Sequence, residues 1–277
     1  MAEIIAVDQF SQGLKERLQK ERKSLGSLKL ASLSVGNNFA TQSYLSSQKK
    51  LAQELQIEYL CLTLGENATQ EEVLSQIQKL NTDKEITGII LNKPFPESWQ
   101  EHVVLAALSF KKDIEGMSPY NLGRLLQKDP LFVSPTALAV LECIDKSKVD
   151  LYGKEVTIVG FSTLIGKPLS ILLADRFATV CITHIGTSQA GNLASHLKNA
   201  DIVISAVGKP NLIKGDWIKE GAIVIDVGVG QMKGKLAGDV EFEVAKNRAS
   251  LITPVPGGVG KLTTLFLFSN LLKAAQL

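Results

Sequence analysis

The segment from Gly153 to Leu173 carries the pattern best suited to chemistry, because it predicts a strand, a glycine turn and a helix in succession. Such a unit directs free backbone N–H groups and the positive end of a helix at one point, which suits the pyrophosphate of a dinucleotide. Ser162 stands at the second glycine position of the Gly-x-Gly-x-x-Gly fingerprint, and Gly166 falls one residue late. Together with Gly160 these residues make a partial match, which alone is a weak signal.

A second group of candidate residues comes from the first half of the chain. Tyr44 and Gln48 are one helical turn apart in the segment after Gly36, so we expect both side chains on one face of a helix. The strand predicted at Ile86 to Leu91 ends in Asn92-Lys93-Pro94-Phe95-Pro96. Two prolines force a rigid exit at the carboxyl end of the strand, which is the edge where ligands bind in open α/β sheets.

Composition narrows the class of protein. The chain has 277 residues, a formal charge of +2 and no basic run interleaved with aromatic residues, so we expect small-molecule partners and neither nucleic acid nor a membrane. The amino terminus shows no targeting pattern, and we expect a cytoplasmic protein. The cysteines and histidines lack the spacing of a metal site, so no metal is predicted.

Alternating strand and helix patterns predict an α/β fold with mainly parallel sheets. We expect two α/β domains, one at residues 1–135 and a second, Rossmann-type domain at residues 136–261. The final helix, from about residue 262 to 277, is expected to pack back on the first domain. Glycines that follow several predicted strands of the second half would let a ligand approach the backbone closely.

These stretches together resemble one family, the bifunctional methylenetetrahydrofolate dehydrogenases and methenyltetrahydrofolate cyclohydrolases. The resemblance runs nearly end to end, and its most specific element is Thr253-Pro-Val-Pro-Gly-Gly-Val-Gly260. The other matching elements are Ser43-Tyr44, Lys112-Asp113-x-x-Gly116 with Asn121 and Gly123, Gly160-x-Ser162-x-x-x-Gly166-x-Pro168, Asp226-Val-Gly228, Gly238-Asp239-Val240, Thr263 and Asn270.

The resemblance implies two α/β domains flanking a cleft, the second of them a Rossmann-type dinucleotide-binding domain, in a homodimer. It implies hydride transfer from methylenetetrahydrofolate to NAD or NADP, followed by hydrolysis of the methenyl product. The implied catalytic residues are Tyr44, Gln48, Asn92 and Lys93, and the implied substrate-binding residues are Tyr44, Glu115, Pro256, Gly257 and Gly258. The implied cofactor-binding residues are Gly160, Phe161, Ser162, Ile165, Gly166, His184, Ile185, Val207, Gly208 and Val229.

Three candidate residues depart from the family pattern. Gln48 stands where the family has a lysine that assists proton transfer in the hydrolytic step, and an amide cannot shuttle a proton at neutral pH. Asn92 replaces a glutamine, and Glu115 replaces the aspartate that binds the pterin; a carboxylate at Glu115 can still accept two hydrogen bonds from the pterin. Lys93 is a hypothetical replacement for the missing ammonium, or else a solvated loop lysine.

The cofactor positions also differ from the family pattern. Phe161 and Ile185 replace residues that bind a 2′-phosphate in NADP-dependent members, and no acidic residue follows the second Rossmann strand. Lys167 or His184 would then substitute as ribose or phosphate ligands. The pattern favours NAD over NADP, and a pocket that binds no dinucleotide well is a third option.

Three functions are therefore open. The leading hypothesis is a methylenetetrahydrofolate dehydrogenase whose cyclohydrolase activity is weak or absent, because Gln48 cannot transfer protons. The second is a full bifunctional enzyme in which Lys93 or a water chain has taken over the proton transfers. The third is a catalytically silent paralogue that keeps the fold and binds a folate or another small ligand.

Overall fold

The computed structural model describes residues 2–5, 7–36, 39–232 and 234–277, and for residues 39–43 it describes the backbone alone. The chain divides into two compact units. The large-sheet unit consists of Met1–Ser11 and Thr136–Thr263, and the small-sheet unit consists of Gln12–Pro135 and Thr264–Leu277.

The strands and helices alternate along most of the chain. In chain order the strands are β1 (Glu3–Ile4), β2 (Lys29–Val35), β3 (Glu58–Leu64), β4 (Gly88–Leu91), β5 (Glu155–Val159), β6 (Thr179–Thr183), β7 (Ile202–Ser205), β8 (Ile223–Asp226), β9 (Gly230–Met232), β10 (Lys235–Ala237) and β11 (Leu251–Ile252). The α-helices are α1 (Val7–Arg22), α2 (Phe39–Glu54), α3 (Gln70–Thr82), α4 (Glu101–Ala106), α5 (Pro119–Leu126), α6 (Pro135–Lys146), α7 (Gly166–Ala174), α8 (Ile185–Gln189), α9 (Leu193–Asn199), α10 (Phe242–Ala245) and α11 (Val259–Ala274). A short 3-10 helix spans Gly215–Trp217.

Within the described residues, the large-sheet unit contains a six-stranded parallel sheet with the order β1-β11-β8-β7-β5-β6. Strands β7 and β8 are buried along their whole length, as expected for parallel strands covered on both faces. Because β6 and β7 lie on opposite sides of β5, the strand order reverses beside β5. In doubly wound sheets that switch point is where ligands bind, and the turn after β5 lies there.

The first described residues cluster with the large-sheet unit. Strand β1 pairs with β11 in parallel, with Glu3 opposite Leu251 and Ile4 opposite Ile252. The backbone N–H of Ile5 extends this ladder by donating to the Ile252 carbonyl at 3.1 Å. A two-residue strand is too short to show an alternating pattern in the sequence, so only the tertiary pairing reveals it.

The small-sheet unit contains, within the described residues, a three-stranded parallel sheet with the order β3-β2-β4. A capping box begins α3, since Thr69 Oγ1 accepts from the Glu72 backbone N–H at 3.2 Å and the Glu72 carboxylate accepts from the Thr69 N–H at 2.7 Å. The last part of α11 also packs in this unit. Asn270 Nδ2 donates to the carbonyls of Ile114 at 2.8 Å and Val133 at 2.9 Å.

Two glycines provide a matched test of the packing. An alanine Cβ at Gly13, inside α1, would meet nothing described within 4 Å, whereas at Gly215 it would lie 2.4 Å from Val244 Cβ and 2.5 Å from the Ala245 backbone nitrogen. We expect Gly13→Ala to stabilise the protein by about 0.5–1 kcal/mol through helix propensity. We expect Gly215→Ala to destabilise it by about 1–3 kcal/mol through overpacking.

The measurement is the midpoint of thermal unfolding by circular dichroism, with both variants beside the unaltered protein. A Gly215→Ala midpoint equal to that of the unaltered protein would contradict the close approach of α10 to the 3-10 helix.

Candidate functional site

The turn between β5 and α7 has the backbone geometry that the glycine pattern predicts. Gly160 adopts a φ of +113°, and a Cβ there would lie 2.7 Å from the Ala206 carbonyl oxygen. A Cβ on Gly166 would lie 2.1 Å from the Gly160 carbonyl oxygen, so both positions require glycine. Ser162 Oγ accepts from the Ile165 N–H at 3.1 Å and supports the turn. The turn therefore leads tightly from the switch point into the amino terminus of a nine-residue helix.

The side chains around this turn are two apolar ones, Phe161 and Ile185, and two with nitrogen groups, Lys167 and His184. Phe161 is 46% exposed, and the Lys167 ammonium lies 5.5 Å from the centre of its ring. Ile185 is 74% exposed at the start of α8. His184 caps that helix, because its Nδ1 accepts from the Gly186 N–H at 3.2 Å. The cap fixes the orientation of the His184 ring and leaves Lys167 as the cation beside the turn.

Two buried aspartates organise the loops at the carboxyl ends of β7 and β8. The Asp239 carboxylate accepts from the Ser205 hydroxyl and from the backbone N–H groups of Val207 and Lys209, each at 2.7 Å. The Asp226 carboxylate accepts from the backbone N–H groups of Gly228, Asp239 and Val240, at 2.9–3.2 Å. Burial raises the pKa of Asp226 to about 7, although these donors oppose the rise.

The aspartate pair determines where several candidate cofactor residues lie. Val207 is 46% exposed and Val229 is 53% exposed, and Gly208 between the Asp239-bound amides has a φ of +75°. The structure thus brings Val207, Gly208 and Val229 to the same edge of the sheet as the turn after β5. Asp226 and Asp239 stabilise these turns through the hydrogen bonds that their carboxyl groups accept.

The segment Thr253–Gly258, just before α11, is held by a hydrogen bond to the backbone of Asp226. Thr253 Oγ1 accepts from the Asp226 backbone N–H at 2.8 Å. The Val255–Pro256 peptide bond is cis, and Gly257 has a φ of +101°. A Cβ on Gly258 would lie 2.4 Å from the Pro254 carbonyl oxygen. The run forms a closely folded loop that presents Pro256 and Gly257 ahead of the helix.

In the small-sheet unit, Gln48 is fully buried and is held by a tyrosine that the sequence reading did not single out. The Tyr59 hydroxyl, on β3, donates to Gln48 Oε1 at 2.5 Å. Tyr44 lies one turn earlier on α2. Burial raises the pKa of both phenols, so Tyr44 and Tyr59 are neutral at physiological pH. A lone tyrosine within an apolar strand carries no functional pattern, and only its pairing with Gln48 distinguishes it.

Glu115 lies in the turn before α5 and faces the same group of phenols. Its carboxyl is buried, and its charge acts on both Tyr44 and Tyr59. Burial raises the pKa of Glu115 to about 8, and the charge of Asp113 adds to the rise, while Lys93 opposes it. The turn itself is held by Asp113, whose Oδ2 accepts from the Ser118 N–H at 2.7 Å.

Asn92 and Lys93 directly follow β4, at the carboxyl end of that strand. Asn92 Nδ2 donates to Ser32 Oγ at 2.7 Å and to the Leu33 carbonyl at 3.1 Å, so its amide is fixed against β2. The Lys93 ammonium forms an ion pair with Glu101 and lies 5.8 Å from the centre of the Phe95 ring. Lys93 is therefore a bound, partly buried cation and not a freely solvated loop lysine.

The described part of the chain offers no cluster of three or more His, Cys, Asp or Glu residues that could hold a metal ion. No helix within the described ranges is long and apolar enough to cross a membrane.

Two family models match the chain, one over each half of the sequence. Residues 5–115 match the family described as the tetrahydrofolate dehydrogenase/cyclohydrolase catalytic domain, and residues 134–277 match the NAD(P)-binding domain of the same family. The Bifunctional protein FolD of Staphylococcus aureus is 39% identical over 269 residues, which cover 97% of this chain and 93% of that protein.

Two solved structures show the same fold over almost the whole chain. The bifunctional FolD dehydrogenase/cyclohydrolase of Campylobacter jejuni superposes with a TM-score of 0.91 at 36% identity, covering 100% of this chain and 99% of that one. The Trypanosoma brucei enzyme, complexed with NADP cofactor and an inhibitor, gives a TM-score of 0.92 at 32% identity, covering 99% and 97%. With sequence, fold and site in agreement, the chain belongs to the tetrahydrofolate dehydrogenase/cyclohydrolase family.

Proposed function

We propose that this member of the family is a methylenetetrahydrofolate dehydrogenase with weak or absent cyclohydrolase activity, and that it prefers NAD to NADP. The observation that carries the proposal is Gln48: a neutral carboxamide is buried against Tyr59 where the family resemblance places a lysine. Tyr44, Asn92 and Glu115 remain polar and close to the same sheet edge, which supports retained binding of the folate.

The two half-reactions differ in what they demand of these residues. Oxidation moves a hydride from the one-carbon bridge of the folate to the cofactor, and it depends mainly on orientation and on a preorganised polar setting. When bound, the nicotinamide ring supplies the hydride acceptor. Hydrolysis of the methenyl product adds water and opens a ring, so a group must transfer protons. General acid or base help is worth about 10²–10⁴ in rate, or about 3–5 kcal/mol of barrier, and an amide cannot supply it.

Glu115 is the proposed pterin-binding residue. Its Oε2 is buried and makes no hydrogen bond with a described residue. An ionised carboxylate could accept two N–H groups from the pterin in a charge-assisted pair. Asn92 would support the same edge through its fixed amide, and Tyr44 would pack against the ligand as a neutral phenol.

The large-sheet unit would hold the dinucleotide. A side chain at Gly160 or Gly166 would fill the turn after β5, so that the backbone there can approach a pyrophosphate at the amino terminus of α7. Ile165 and Ser162 shape this turn, and Phe161, His184, Ile185, Val207, Gly208 and Val229 would line the ribose, adenine and nicotinamide positions. Neither Phe161 nor Ile185 can bind a 2′-phosphate, which supports NAD.

A bifunctional enzyme that uses Lys93 for proton transfer is the second candidate. The charge of Lys93 acts on Glu115, which favours this reading. However, the Lys93 ammonium is already engaged in an ion pair with Glu101, which disfavours a role in proton transfer to water.

The proposal is tested by following absorbance of reduced nicotinamide and of methenyltetrahydrofolate together during turnover of methylenetetrahydrofolate. We expect the methenyl product to accumulate. Gln48→Lys should restore an ammonium and raise the rate of methenyl hydrolysis about 100-fold or more, while Gln53→Lys, at an exposed position of the same helix, should change nothing. Rapid hydrolysis by the unaltered protein would support the bifunctional reading, and no reduced nicotinamide with either cofactor would indicate a silent paralogue.

Folate affinity should depend on pH through Glu115. Because its pKa is about 8 in the free protein, the carboxyl is mostly protonated at pH 7, and the carboxylate that accepts the pterin must first lose a proton. The dissociation constant of tetrahydrofolate should therefore fall by up to about tenfold per unit between pH 6 and 8 and level off above pH 8. Calorimetry in buffers of different ionisation enthalpy measures both the affinity and the proton released.

Glu115→Gln is the matched control for this dependence, since it keeps the shape and removes the titration. It should bind tetrahydrofolate weakly with no slope between pH 6 and 8. The same slope in the Glu115→Gln variant would assign the dependence to another group.

Cofactor preference should follow the residues at the turn. We expect kcat/KM to be higher with NAD than with NADP, and Phe161→Arg to raise the NADP value about tenfold, because a guanidinium can bind a 2′-phosphate. Phe177→Arg is the control, because it places the same charge at an exposed phenylalanine (70% exposed) in the turn before β6. An equal gain in both variants would mean that general electrostatic attraction, and not a phosphate site at Phe161, causes the effect.

A further inference from the structure

Tyr59 holds the Gln48 carboxamide by its oxygen. The Tyr59 hydroxyl donates to Gln48 Oε1 at 2.5 Å, and a tyrosine has a single O–H hydrogen to donate. The Gln48 side chain is therefore fixed from β3 through its carbonyl end.

This hydrogen bond determines which end of the Gln48 side chain is left without a partner. Because Oε1 accepts from Tyr59, the Nε2 group with its two N–H donors is turned away from Tyr59. Gln48 Nε2 is buried and makes no hydrogen bond with a described residue. A buried donor without a partner is rare in folded proteins, so such a group points to a missing ligand atom.

A second buried atom nearby lacks a partner of the opposite kind. Glu115 Oε2 is an acceptor without a hydrogen bond among the described residues. Glu115 acts electrostatically on Tyr44, one turn before Gln48 on α2, and on Tyr59, which donates to Gln48. The small-sheet unit thus holds a donor and an acceptor that both await a ligand. A reduced pterin carries both counterparts, since its ring has carbonyl and nitrogen acceptors as well as N–H donors.

We propose that Tyr59 is a positioning residue that fixes the Gln48 carboxamide with Nε2 directed at the bound folate, where it donates to an acceptor atom of the reduced pterin. This inference rests on the proposed folate-binding function. It assigns Gln48 a binding role in place of the proton transfer that it cannot perform. Without the Tyr59 hydroxyl the amide would be free to turn its oxygen toward the ligand acceptor, where two lone pairs would repel each other.

The experiment compares tetrahydrofolate binding in a double-mutant cycle. Calorimetry under anaerobic conditions measures the dissociation constant for the unaltered protein, Tyr59→Phe, Gln48→Met and the double variant. We expect Tyr59→Phe and Gln48→Met each to weaken binding about tenfold, the loss of one oriented hydrogen bond. In the Gln48→Met background, Tyr59→Phe should have no further effect, because its influence acts through the amide.

Tyr152→Phe is the matched control, since Tyr152 is exposed and lies in the large-sheet unit. It should bind tetrahydrofolate like the unaltered protein. Thermal unfolding of every variant separates loss of binding from loss of fold, and a purely structural Tyr59 would lower the unfolding midpoint without this non-additivity in binding.

A second measurement does not depend on any variant that might fold poorly. In protein labelled with ¹⁵N-glutamine, tetrahydrofolate should move the Gln48 side-chain NH₂ signals downfield, and Gln48→Met identifies those signals. Unchanged signals in the complex, additive effects in the cycle, or unaltered affinity of Tyr59→Phe would each overturn the inference.

Binding does not require turnover, so the two proposals fail separately. A protein that binds tetrahydrofolate with the expected non-additivity but oxidises no methylenetetrahydrofolate would support the role of Tyr59 and refute the dehydrogenase. A protein that binds no tetrahydrofolate at all would refute both.

Discussion

The loops at the carboxyl edge of the large sheet depend on hydrogen bonds to two buried aspartates. The Asp239 carboxyl group accepts from the N–H groups of Val207 and Lys209, after β7. The Asp226 carboxyl group accepts from the N–H groups of Gly228, after β8, and Val240, after β10. Each buried carboxylate is stabilised by several donors, and removal of either would leave backbone amides buried without partners. The loops that carry the candidate cofactor residues are therefore rigid because their backbone is hydrogen bonded to side chains of the framework.

The candidate site of the small-sheet unit depends on burial more than on hydrogen bonds to the backbone. Its polar groups are buried with few charges around them. The charge of Lys93 acts on Glu115, but Lys93 is itself paired with Glu101. The low polarity keeps Tyr44 and Tyr59 as neutral phenols and raises the pKa of Glu115 to about 8. A site of this kind is suited to recognise a neutral heterocycle and to orient it, whereas proton transfer to water needs a group that changes charge near neutral pH.

The sequence predicted the α/β class and the glycine turn after β5, because each rests on local spacing that the backbone must obey. It also placed Tyr44 and Gln48 on one helix. It could not reveal Tyr59, since the partner of Gln48 comes from β3 and the contact exists only once α2 packs on the sheet. The pairing of β1 with β11 was missed for a similar reason, because two residues are too few to show a period. Long-range contacts between short or isolated polar residues leave no trace in periodicity.

The pairing of β1 with β11 has a consequence for how the large sheet forms. Strand β1 and its partner, with Glu3 opposite Leu251, lie very far apart in sequence. Contacts between such distant segments require closure of a long loop, which slows folding. Strand β1 can therefore join the sheet only after β11 is in place, and until then its backbone N–H and C=O groups have no strand partner.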